Sequence, residues 1–180
     1  MLIKVLKHIF LFFILAITQI AILPNMPSVL EKLNIVLVVV IFIAVVYEFY
    51  MSAAYALLLG FLLDLYSSLP FGAMILSLMI TLYVIYKIFK KLLTNKSFYT
   101  LIGLTIVGTF VHSLILYIYL YIIFFVQTKD MELIKKLSFM TTQDFLWQLL
   151  FNLIAITCLF MFFHVAGRRF KAVFIDTTKG

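Results

Sequence analysis

The chain has 180 residues, 66% of them hydrophobic and 12% charged, and a mean hydropathy of +1.23. A body this small keeps too much surface in water to hide that apolar content, so a water-soluble enzyme is excluded. The formal charge of +7 does not point to nucleic acid here, because membrane proteins gather Lys and Arg on their cytoplasmic side.

At about 20 residues per bilayer crossing, six crossings take roughly 120 residues and leave no room for a separate globular domain. The composition therefore predicts an all-α integral membrane protein, a compact six-transmembrane-helix bundle forming one polytopic domain over 1–180. The single cysteine, Cys158, lies in an apolar run and cannot form an intrachain disulfide.

The first helix is expected over 5–23. Its basic start and apolar run resemble a signal peptide, but no small-x-small cleavage site follows, which favours a retained helix. Pro24 and Pro27 then break the pattern. A second helix is expected over 33–50, built on LNIVLVVVIFIAVVY and closing at the polar patch EFYMS with Glu48. The third, 52–66, is short for a span and is expected to be held inside the bundle. SSLPFG forms a tight turn into a fourth helix, 72–90, closed by lysines. The fifth, 98–126, is longer than a perpendicular span needs and should tilt or project.

In the loop from Gln127 to Asp144, Met131, Ile134 and Leu137 recur at three-residue spacing and suggest a short interfacial helix. TTQD resembles a capping box with Thr141 as the cap, starting a sixth helix over 142–166 with Trp147 at the aromatic belt.

Threading six helices from a cytoplasmic N terminus places ten of the fourteen basic residues inside: Lys4, Lys7, Lys87, Lys90, Lys91, Lys96, Arg168, Arg169, Lys171 and Lys179. Lys32, Lys129, Lys135 and Lys136 fall outside. Both termini are therefore expected in the cytoplasm.

Few residues stand out from the hydropathy. Asp64 closes a face with Ala53, Ala56 and Gly60, at offsets that stack on one side of a helix. Small residues permit close helix approach, and the carboxylate is suited to brace the SSLPFG turn. His112 lies mid-helix with Thr105 and Thr109 on nearly the same face, a pattern that could carry a proton or bind a polar ligand, although the same groups commonly make interhelical hydrogen bonds. Thr18, Gln19 and Asn152 read the same way, whereas His164 sits one turn before Arg168 at an interface. Glu48 is expected to pair with an inward-side cation, and the lysines at 87–96 and the basic residues at 168–171 to meet anionic lipid heads.

The three histidines occupy different helices, and no metal spacing, Walker loop, dinucleotide glycine pattern or nucleophile elbow is present. No catalytic, cofactor-binding or metal-binding residue is assigned. Gly60, Asp64, Pro70, Phe71, Gly72 and His112 are the candidates for structural or partner-contact roles.

LLLGFLLDLYSSLPFGAMILSLMITLYVIY, Leu57 to Tyr86, resembles the rod shape-determining protein MreD family through Gly60, the two leucines before Asp64, the turn to Pro70-Phe71-Gly72, and the following apolar helix with Tyr83. The second helix departs from that family at its start, which reads EKLNIVL. The resemblance implies a nonenzymatic scaffold or regulator of bacterial lateral-wall elongation in the cytoplasmic (inner) membrane. It further implies the partners MreC and the RodA/penicillin-binding-protein machinery, with MreB reached indirectly. Membrane lipids are expected contacts, a homo-oligomer stays open, and no nucleic acid or cofactor is implied.

The family's fold also resembles the substrate-binding component of energy-coupling-factor transporters, so a vitamin or small-molecule uptake subunit is the alternative. Such components often use small residues in the first helix to meet the energising subunit. IFLFFILAITQIAIL has no clear small-xxx-small row, which favours the scaffold.

Reporters fused after Gly180 and inserted near Lys129 are expected to report opposite compartments; the same compartment for both would contradict this threading.

Overall fold

A computed structural model describes residues 12–27, 29–46, 49–92, 97–128 and 142–166. They form an all-α bundle of six helices: α1 (Phe12–Asn25), α2 (Ile35–Val46), α3 (Phe49–Tyr66), α4 (Ala73–Leu92), α5 (Phe98–Thr128) and α6 (Thr142–Ala166). The start of the first helix before residue 12, Glu48, Lys96, the interfacial helix around Met131, Ile134 and Leu137, the Thr141 cap and the basic tail lie outside the described residues, as does the His164 side chain.

Four helices contain segments long and apolar enough to cross a membrane: Phe49–Tyr66, Ala73–Lys91, Phe98–Ile123 and Gln143–Phe163. The other two, α1 and α2, are shorter within the described residues.

α2 is the centre of the bundle. Its sequence, IVLVVVIFIAVV, offers no polar stripe to water, and every residue from Val36 to Val45 is buried. A helix apolar all round has to be enclosed or face lipid; this one is enclosed, touching α3, α4, α5, α6 and the end of α1. The short helix held inside is therefore α2 rather than the third run.

α3 reaches 18 residues because Phe49–Ser52, read in the sequence as an interfacial patch, forms its first turn, with the buried Ser52 hydroxyl donating to the Phe49 carbonyl at 3.0 Å. Its outward side exposes Leu57, Leu58, Phe61 and Leu65, an arrangement suited to lipid. The remaining helices close around α2 in chain order, α3 on α4, α4 on α5 and α5 on α6.

At 12 residues, α2 is about 18 Å long, against a hydrocarbon core of about 30 Å. The expected range of 33–50 fails at both ends: Asn34 is the cap, its Oδ1 accepting the Leu37 amide at 3.0 Å, so the helix begins at Ile35, two residues later, and Phe49 and Tyr50 belong to α3.

α1 is also irregular. A π-helical turn spans Thr18–Ile22, and a 3-10 turn follows over Leu23–Asn25, with Pro24 unable to supply an amide to the ladder. α5 meets α2 and α4 closely at Gly108, where an added Cβ would lie 2.8 Å from the Cδ1 atoms of both Ile41 and Ile85.

Candidate functional site

Gln19, Asn34, Asp64, His112, Gln148 and Asn152 converge at one end of the bundle, where α3 hands over to α4 and α2 begins. Helix starts leave amides without intrahelical partners, and two starts here are closed by side chains from other helices.

The first is the start of α4. Gly72 precedes Ala73 with φ +98°, a conformation that side chains disfavour, and it has no side chain with which to cap the helix. Asp64, near the end of α3 and only 4% exposed, supplies the missing acceptors. Its Oδ1 accepts the Met74 amide at 2.8 Å and its Oδ2 the Ile75 amide at 3.1 Å. A carboxylate at a helix N terminus also meets the positive end of the macrodipole.

Gly60, one turn earlier on the same face, lets α3 approach: an added Cβ would stand 3.0 Å from the Ile75 Cα, which is backbone and cannot swing aside. α5 holds the turn from the other side, with the Tyr119 hydroxyl donating to the Phe71 carbonyl at 2.8 Å. Pro70 accepts the Ala73 amide at 3.2 Å. Phe71 packs edge-on against Phe61, with centroids 5.9 Å apart, yet remains 60% exposed. Five of the sequence candidates, Gly60, Asp64, Pro70, Phe71 and Gly72, thus form one clasp.

The second is the start of α2. The Asn34 amide donates to Asn152 Oδ1 of α6 at 3.0 Å, and the Ile35 amide to Gln19 Oε1 of α1 at 2.8 Å. Gln19 Nε2 donates in turn to the Leu33 carbonyl at 3.2 Å. The π-helical turn that includes Gln19 therefore sits where both halves of its amide engage the 33–35 segment.

Because Asn34 Oδ1 already takes the Leu37 amide, its Nδ2 is the group 3.1 Å from His112 Nε2. Nε2 then accepts, which assigns a neutral ring carrying its proton on Nδ1. The Ser77 backbone stands beside the ring, and Nδ1 has no well-formed hydrogen bond. Asn152 Nδ2 donates to Thr109 Oγ1 at 3.0 Å. Ser113 extends the network, its hydroxyl lying 2.9 Å from the Thr109 carbonyl and 3.2 Å from Gln148 Oε1.

Thr105 and Thr18 stand apart. Their hydroxyls donate to carbonyls of their own helices, Leu101 at 2.7 Å and Ile14 at 2.7 Å. The same-face grouping of Thr105, Thr109 and His112 is thus divided in use.

Asn34, Ser113, Tyr119 and Gln148 were not singled out in the sequence. Asn34 had a signal, an asparagine immediately before an apolar run, which is an N-cap pattern. Tyr119 had none, since its partner is a backbone carbonyl 48 positions away.

Above the network opens a cavity of about 290 Å³, with Asn34, His112 and Gln148 among its lining and Glu31, Lys32 and Asp144 contributing charge. Met74, whose amide Asp64 holds, also lines it, so clasp and network adjoin. Lys32 Nζ lies 3.4 Å from Asp144 Oδ1, a half-buried pair worth about 0–1 kcal/mol. Among the described residues no group of three or more His, Cys, Asp or Glu could hold a metal ion. Cys158 is a free, exposed thiol on α6. The chemistry on display is hydrogen bonding to helix ends.

Asp64→Leu strands two amides, at about 1–3 kcal/mol each, whereas Asp64→Asn keeps one acceptor. We expect the yield of folded protein in membranes to rank wild type, then D64N, then D64L, with Gly60→Leu as poor as D64L. The readout is size-exclusion profile and thermal midpoint in detergent, scored separately from partner recovery. Wild-type behaviour of both leucine variants would remove the clasp from any structural role.

A family model described as rod shape-determining protein MreD matches residues 1–168. No curated protein matches the chain, and no solved structure does.

Proposed function

The chain belongs to the MreD family, and from that membership we propose that it is a nonenzymatic membrane component of the bacterial lateral-wall elongation machinery that contributes to rod shape. The family match along 1–168 carries the proposal. The site supports it chemically: its buried amides and carboxylate are engaged by backbone ends and neighbouring side chains, an arrangement that suits a rigid partner more than a catalyst. In this reading the chain assembles beside MreC with the RodA/penicillin-binding-protein machinery, and through them with MreB.

The charge distribution favours a topology in which the Lys32 end faces outward and the Lys90 end inward, with six crossings and both termini cytoplasmic. α2 then crosses as a short helix whose side-chain caps make good what its length lacks. The clasp turn lies at the outward end, where Phe71 and Tyr66, 60% and 71% exposed, offer apolar surface to a partner that reaches this level of the membrane.

The uptake alternative draws on one observation, the cavity of about 290 Å³ at the same end. Much of its polar lining is already hydrogen-bonded within the protein, and Lys32 is paired with Asp144, which leaves little to recognise a polar solute.

Depletion in a rod-shaped native host is expected to round or widen the cells and disperse wall incorporation. Unchanged shape and incorporation, together with loss of import of a vitamin-like solute, would overturn the scaffold reading in favour of uptake.

A further inference from the structure

At the end opposite the cavity, the start of α3 lies beside the end of α4. Phe49 packs on Tyr86 with ring centroids 4.7 Å apart. A groove of about 470 Å³ runs there, with Phe49, Tyr83, Tyr86 and Ile88 in its lining, a size within the roughly 300–1,000 Å³ of ligand sites. Among the described residues its charged lining is all of one sign: Lys87, Lys90 and Lys91.

Two of these lysines are placed by the groove's own aromatics. Lys87 Nζ stands 5.3 Å from the Tyr83 ring centroid and Lys90 Nζ 5.0 Å from that of Tyr86. The four-residue spacing brings each ammonium over a ring one turn back.

Lysines at the end of a helix are favoured by the macrodipole and snorkel to water, which accounts for their presence. It does not say what fills the apolar groove beside them. A groove on the flank of a membrane bundle is filled by what the bilayer supplies, and the lysines select among those molecules. A zwitterionic lipid brings no net charge to three ammonium groups, whereas an acidic phospholipid brings an anionic phosphate together with a chain for the apolar wall.

We propose that this groove binds an acidic phospholipid, with its phosphate held by Lys87, Lys90 and Lys91 and an acyl chain lying along Phe49, Tyr83 and Tyr86. The proposal goes beyond the elongation reading and does not depend on which way the bundle is oriented.

The test is native mass spectrometry of the full chain in neutral detergent, titrated with phosphatidylglycerol or phosphatidylcholine. Phosphatidylglycerol should bind at least about tenfold more tightly than phosphatidylcholine. The K87Q/K90Q/K91Q variant, shown to be helical by circular dichroism, should bind both lipids alike, and K87R/K90R/K91R should retain the preference. Inorganic phosphate at equal concentration should not displace the lipid, because it cannot use the apolar wall.

Equal affinity of the wild type for the two lipids would overturn the proposal, as would an unchanged preference in the glutamine variant. Displacement by inorganic phosphate would reduce the site to an anion contact. Retention of neither lipid would also defeat it and leave this face to a partner helix. Should the glutamine variant not fold, the wild-type lipid comparison and the phosphate competition decide the matter.

Discussion

The bundle depends on where α2 begins. A helix of 12 residues enclosed on all sides ends with its first amides inside the protein, where an unmet donor costs several kcal/mol in a water-poor medium. Gln19, Asn34 and Asn152, one from the first helix, one from the cap position and one from the last helix, accept the Ile35, Leu37 and Asn34 amides. The chain's most apolar segment is thus fixed in register by a few polar contacts at one end, and the surrounding helices are tied to the same point.

The same solution recurs at α4. There the cap position is a glycine with positive φ, and the acceptors arrive from Asp64 on the preceding helix. Both closures lie at one end of the bundle and share Met74 and the cavity above His112. This concentration has a functional side. Asp64, Gln19, Asn34 and Asn152 are taken up in holding helix ends, so the end they build is a shaped, stiff surface. The opposite end is chemically different, with lysines over tyrosines beside an apolar groove. One pole offers capped helix ends and exposed aromatics, the other offers cations.

Much of this was legible. Apolar runs separated by prolines, glycines and lysines give the number of helices directly, since the bilayer demands long uninterrupted stretches. The small face through Gly60 to Asp64 was readable because a carboxylate in an apolar helix needs a partner, and the adjacent turn provides one. Asn152 and Gln19 were legible as interhelical groups for the same reason.

What was not legible required distance in space. α2 is more apolar than α3, but a helix apolar all round is suited equally to enclosure by protein and to lipid, so the inner position was expected of the shorter-looking third run, which is the wrong helix. Thr105 and Thr109 share a face with His112, but only Thr109 meets Asn152; Thr105 turns to its own backbone. Face geometry alone does not decide between those uses.

The central claim is that the start of α2 is closed by side chains rather than by water. Amide hydrogen exchange of the detergent-solubilised full chain, followed on a peptide covering 33–38, tests it directly. Closure predicts that the Asn34, Ile35 and Leu37 amides exchange as slowly as those of Val39 to Val45. Complete exchange of the 33–38 peptide at the shortest labelling time, with the helix centre still protected, would contradict it.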